Sequence, residues 1–164
     1  MHMTDEAPII IDIEVSGFAT EGYPIEVGVV MEDGTAFCSL ITPAPDWTYW
    51  DDDAEKVHRV ARDILETYGR SIQEVANTLN QMLAGKTAYS DGWKVDKPWL
   101  SALFWEAQIP QQFRFSIIEM IMTPGQMRRW HDTKDQVLAD IDENRHRASL
   151  DAVVMQKTYQ RSRE

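Results

Sequence analysis

Four acidic residues and one histidine carry the chemistry this sequence offers. Asp12 and Glu14 sit in Ile9-Ile10-Ile11-Asp12-Ile13-Glu14-Val15-Ser16-Gly17-Phe18, Asp96 follows a glycine-containing loop, and His146-x-x-x-x-Asp151 completes the set. Alternate side chains of a strand share a face, so Asp12 and Glu14 project together while Ile11 and Ile13 project the other way. Two carboxylates side by side in apolar surroundings repel each other and lose hydration, which is costly without compensating positive charge. Mg²⁺ and Mn²⁺, which prefer oxygen ligands, supply that compensation. Each signal also has a plainer meaning. Asp-x-Glu at a strand end can be solvated, Asp96 can be a helix cap, His146 can be a surface or core residue, and Asp151 can be an exposed helix charge.

The elements that must position these residues follow from patterning. The run at 9–15 is too short for a buried helix and rich in β-branched residues, which predicts a central strand covered on both faces. Ser16-Gly17 ends it, which puts the acidic pair near the strand's C-terminal end, where α/β sheets place ligands. Strands at 25–31 and 36–41 flank the turn Glu32-Asp33-Gly34-Thr35. Asp51-Asp52-Asp53 suits a helix N-terminus, and that helix is predicted to run to Tyr68 and close at Gly69. Ser71-Ile72-Gln73-Glu74 is a capping box, opening a helix with Ile72, Val75, Ala76, Leu79 and Leu83 on one face. A fourth strand at 86–90 precedes a helix capped by Asp96 with Pro98 in its first turn. A fifth strand spans 113–121, Thr123-Pro124 opens a helix, and a last helix carries Leu150, Ala152, Val153 and Tyr159. Three strands followed by helices alternating with single strands predict an α/β fold, a mixed five-stranded sheet flanked by helices. One domain over residues 1–164 is expected, with 160–164 a frayed tail.

Composition narrows the partners. A net charge of −11 argues against a protein that coats nucleic acid generally. The charge is uneven: residues 1–124 hold 8 Lys/Arg and 20 Asp/Glu, whereas residues 125–164 hold 8 and 7, so a polyanion should approach through the C-terminal part or through bound cations. Cys38, the single cysteine, excludes an internal disulfide and suits a reducing, cytoplasmic setting. The polar, acidic start lacks a leader pattern, and no apolar run approaches membrane-spanning length, so no membrane partner is expected. The segment Trp47–Trp50 is read either as an interface, compatible with a homodimer, or as packing on the domain's own core.

In order along the chain, these residues resemble the DEDDh family of 3′–5′ exonucleases, which have a ribonuclease H-like fold. Asp12-Ile13-Glu14-Val15-Ser16-Gly17-Phe18 is similar to the family's first motif, and Ile25-Glu26-Val27-Gly28-Val29-Val30 to the strand that follows it. Asp91-Gly92-Trp93-Lys94-Val95-Asp96-Lys97-Pro98-Trp99-Leu100 resembles the second motif, with Asp91 where the family has Asn. Asp96 is favoured as the second-motif acid because Asp-x-x-Trp-Leu is in register, and Asp91 is the alternative. His146-Arg147-Ala148-Ser149-Leu150-Asp151-Ala152 resembles the third motif. His58-Arg59-Val60 falls where the family often has His-Gly-Ile. With Arg59 in place of the glycine, His58 is read as an ordinary exposed helix residue.

The resemblance implies a metal-dependent 3′–5′ exonuclease, a phosphodiester hydrolase acting on single-stranded or short RNA or DNA. Asp12, Glu14, Asp96 and Asp151 would hold two Mg²⁺ or Mn²⁺ ions, and His146 would be the general base. Phe18 and Trp93 are candidates for stacking on bases, each with core packing as its alternative. Ser16 and Gly17 are read as substrate contacts, and Arg128, Arg129, Arg145 and Arg147 as phosphate contacts. A catalytically silent binding or scaffold subunit on the same fold is the competing expectation.

Overall fold

The computed structural model describes residues 7–91, 96–141 and 148–163. Five strands form one mixed sheet: β1 (Ile9–Val15), β2 (Pro24–Val30), β3 (Ala36–Leu40), β4 (Thr87–Ser90) and β5 (Arg114–Ile117), in the order β3-β2-β1-β4-β5. The strand carrying Asp12 and Glu14 is the central one. It pairs antiparallel with β2 and parallel with β4, and β3 and β5 extend the sheet antiparallel and parallel respectively.

Six helices flank the sheet among the described residues: α1 (Asp52–His58), α2 (Arg62–Tyr68), α3 (Ile72–Leu83), α4 (Lys97–Ala107), α5 (Pro124–Asp140) and α6 (Ala148–Ser162). Alternation along β1 divides them between two layers. Ile9, Ile11 and Ile13 join Val75, Leu79, Leu100 and Leu103 in the larger core, under α3 and α4. Ile10 instead joins Ala152, Met155 and Tyr159 of α6 in a smaller cluster. Asp12 and Glu14, in step with Ile10, therefore lie on the α6 face.

Three local expectations change. The helix expected to run unbroken to Tyr68 is two, because Arg59 takes a left-handed conformation (φ 59°) and turns the chain after His58. The strand expected over 113–121 stops at Ile117 and continues as a 3₁₀ turn, Ile118–Ile121, which buries Ile118. Helix α6 continues through Ser162, past the start of the expected fraying, held by an Arg161–Asp140 ion pair of 3.0 Å and by Arg129 donating to the Ser162 carbonyl at 2.5 Å. Ser71 and Thr123 cap their helices as the sequence predicts.

Besides its apolar contacts, helix α6 is tied to the sheet by hydrogen bonds from one buried side chain. Gln156 Nε2 donates to the Pro8 carbonyl (3.0 Å) and to the Met31 carbonyl (2.8 Å), tying α6 to the entry of β1 and the exit of β2. Removing this amide leaves acceptors without their donor in a water-poor layer. Gln156→Leu is expected to lower stability by about 1–3 kcal/mol in urea denaturation. A variant with an unchanged midpoint would show that α6 is held by apolar contact alone.

Candidate metal centre

The sheet face under α6 places the acids. Asp12 and Glu14 leave β1 on that face, and Asp151 enters from the first turn of α6. Carboxylate oxygens of Asp12, Glu14 and Asp151 lie within 4.8 Å of one another. Asp12 is fully buried, whereas Glu14 and Asp151 are half-buried. Two backbone features ease the crowding. Gly28, opposite Asp12 on β2, brings no side chain to that spot, and the pairing register shifts between Glu14 and Val15, a device that re-aims side chains at strand ends. The positive end of the α6 dipole also favours an anion at Asp151.

These contributions are small beside the repulsion. At an effective dielectric near 20, two ionised carboxylates 4.8 Å apart repel by about 3 kcal/mol. A further carboxylate stands close by: Glu26, also buried, pairs across the strands with Glu14 and accepts from Cys38 Sγ at 3.4 Å. Three clustered carboxylates with oxygens turned to one point suit a hard divalent cation such as Mg²⁺ or Mn²⁺.

A cleft of about 750 Å³ opens beside the cluster. Glu14, Asp151, Asp91 and Asp96 all line it. Asp96 sits at the start of α4, yet its carboxylate does not cap that helix. Its Oδ2 accepts from the Ser90 hydroxyl at 2.6 Å, at the end of β4. Asp96 is buried and Asp91 half-buried, and both lie outside the group converging within 4.8 Å. Phe18 stands at the cleft wall, 79% exposed.

Ser16 and Gly17 are placed differently. Ser16 is buried, and its hydroxyl accepts from the Tyr23 N–H at 3.1 Å while its carbonyl accepts from Asp51 N–H at 2.9 Å. A side chain at Gly17 would collide with the Tyr49 ring at 2.6 Å, so the glycine lets the 47–51 segment close over the strand end. Both residues knit the turn, and neither lines the cleft. Trp47 stacks on Tyr23 with ring centroids 5.4 Å apart, and Trp50 packs on the same cluster, so the Trp-rich segment covers the domain's own core. Of the candidate arginines, Arg128 is exposed and Arg129 is engaged at the end of α6. His146, Trp93, Arg145 and Arg147 lie outside the described residues.

His58 corrects its reading. It is not an exposed helix residue: it is 4% exposed and lines the cleft. The left-handed Arg59 supplies the turn that a glycine would give, so the replacement keeps His58 in place. Its Nδ1 accepts from the Val60 N–H at 3.0 Å, Trp50 packs edge-on at 5.5 Å, and Nε2 meets no hydrogen-bond partner among the described residues. Trp99, Trp130, Lys134 and Leu138 are among the other residues of the cleft's walls. Trp130, Lys134 and Leu138 recur every fourth residue of α5, the one sequence signal that could have marked them.

No protein-family model and no curated protein sequence matches this chain. Solved structures do match its fold. An exonuclease I from Methylocaldum szegediense superposes with a TM-score of 0.69 at 12% identity, covering 96% of this chain and 41% of that one. The zinc-bound E. coli exonuclease I complex with single-stranded DNA gives 0.68 at 11% identity, over 97% and 41%. E. coli exonuclease I with a dA16 oligonucleotide gives 0.58 at 10% identity, over 80% and 30%. The chain thus shares with these proteins a ribonuclease H-like fold, a mixed five-stranded sheet flanked by helices, and spans at most about two fifths of their length.

Burial lowers the pKa of His58 below the ordinary histidine value, with the Glu55 carboxylate pulling weakly the other way. The unfolded chain therefore binds the proton more readily than the folded one, so His58 adds stability above about pH 6.5 that is lost as pH falls through the lowered value. His58→Gln is expected to flatten the fall in melting temperature between about pH 7 and pH 5. Parallel acid profiles for the two proteins would contradict this assignment.

Proposed function

We propose that this chain is a metal-dependent exonuclease that removes nucleotides from the 3′ end of single-stranded or short RNA or DNA. The observation that supports the reading best is the convergence of Asp12, Glu14 and Asp151 at one wall of an open cleft. The order of the three sequence motifs supports the 3′-to-5′ polarity. The oligonucleotide complexes of fold neighbours support a single strand as substrate. In this reading residues 1–164 form one catalytic domain working in the cytoplasm, and a homodimer would need a surface other than Trp47–Trp50.

Asp12, Glu14 and Asp151 would hold divalent cations, Mg²⁺ or Mn²⁺, with Asp96 as the fourth acid and Asp91 as its alternative. A divalent cation supplies positive charge to phosphate oxygens and makes water a stronger acid. His146, immediately upstream of α6 in sequence, would take the proton from the attacking water. Water oxygen attacks the phosphorus of the last linkage, the bond from phosphorus to the preceding 3′-oxygen breaks, that oxygen takes a proton from solvent to become the strand's new 3′-hydroxyl, and a nucleoside 5′-monophosphate leaves. Phe18 would stack on the terminal base, and Trp93 is a second candidate.

Two matched oligomers, one RNA and one DNA, each labelled at the 5′ or 3′ end, test the reading with Mg²⁺ and with Mn²⁺. Mononucleotides are expected from 3′-labelled strands at once, and a shortening ladder from 5′-labelled ones, with chelation abolishing both. His146→Ala is expected to cut the rate by about 10²–10⁴. Metal binding without turnover on either polymer would favour the silent binding subunit instead.

A further inference from the structure

Among the described residues lining the acidic cleft, Lys134 is the one ammonium and His58 the one imidazole, against Glu14, Asp91, Asp96 and Asp151. Lys134 lies in a stripe of α5 with Trp130 and Leu138, which face the same cleft. The adjacent stripe of α5, with Gln126, Thr133 and Val137, is buried. The acids of that helix, Asp132, Asp135 and Asp140, do not line the cleft. Trp130 rests against the cluster under α6 and remains half-buried, and Leu138 is 47% exposed. Lys134 makes no ion pair with any described residue. An ammonium set between an indole and an aliphatic side chain makes a local positive spot in an otherwise negative cleft, where a phosphate and a base could be met together.

We propose that this stripe of α5 grips the single strand behind its terminal nucleotide. Lys134 takes a backbone phosphate that the carboxylate floor does not serve, and Trp130 stacks on the adjoining base. Leu138 closes the apolar end of the wall. The proposal rests on the exonuclease reading and adds to it the subsite that holds the substrate's body. The arrangement favours one flexible strand over a duplex, because a stacked base pair shields the face that Trp130 would meet.

The test is anisotropy of a fluorescent single-stranded oligothymidylate with phosphorothioate linkages, titrated with the whole protein in Mg²⁺ at several salt concentrations. Lys134→Gln is expected to weaken binding about tenfold and to flatten the plot of log affinity against log salt by about 0.7, the increment for one phosphate contact on a single strand. Lys134→Arg is expected to restore the slope, and Trp130→Leu to weaken binding about tenfold with the slope unchanged. Wild-type protein that digests or binds the strand while Lys134→Gln keeps its slope would overturn the grip and leave the exonuclease reading standing. Wild-type protein that neither binds nor digests any strand would overturn both.

Discussion

Like charges held close where a buried strand meets an open cleft are the constraint on which this structure depends. Asp12, Glu14 and Asp151 bring carboxylate oxygens within 4.8 Å of one another, with Glu26 buried alongside. Each ionised pair costs more than a typical surface interaction can return. Among the described features that ease the cost are the bare Gly28, the irregular register after Glu14 and the N-terminus of α6. Under the proposed function a divalent cation would add positive charge at the same point.

The architecture explains why the crowding survives. β1 is the middle strand, so its backbone cannot shift without breaking pairings with β2 and β4. One face of β1 is apolar and sealed by α3 and α4. The other face is apolar only at Ile10, where α6 packs, and acidic beyond it. Gln156 locks α6 to both neighbouring strand ends, which sets where Asp151 arrives. Packing and site are thus one arrangement: the helix that closes the smaller core also delivers the third carboxylate.

Much of this was legible in the sequence, for geometric reasons. Alternation along a strand is fixed by the backbone, so Asp12 and Glu14 could be placed on one face from the sequence alone. The central place of the first strand and the mixed sheet followed from its apolar run, the hairpin signal and the later alternation of helices with strands. Less local features were not legible. Arg59 hides a left-handed turn that would be obvious only with glycine, so His58 read as exposed when it is inside the cleft. Asp96 was read both as a helix cap and as the second-motif acid; its carboxylate makes no cap hydrogen bond and accepts from Ser90. Glu26 lies opposite Glu14 only once the register of β1 and β2 is known. The cleft stripe of α5 was masked because that helix serves two surfaces at once.

The most direct measurement of the central claim is the thermal stability of the wild type and of Asp12→Asn, with chelator and with rising Mn²⁺. If shared cations make the crowding tolerable, the wild type melts below Asp12→Asn in chelator, because one repelling charge is gone. It should then gain about 2.7 kcal/mol when the ion reaches a hundred times its dissociation constant, reversing the order. A wild-type melting temperature indifferent to Mn²⁺, with Asp12→Asn less stable at every concentration, would contradict the account.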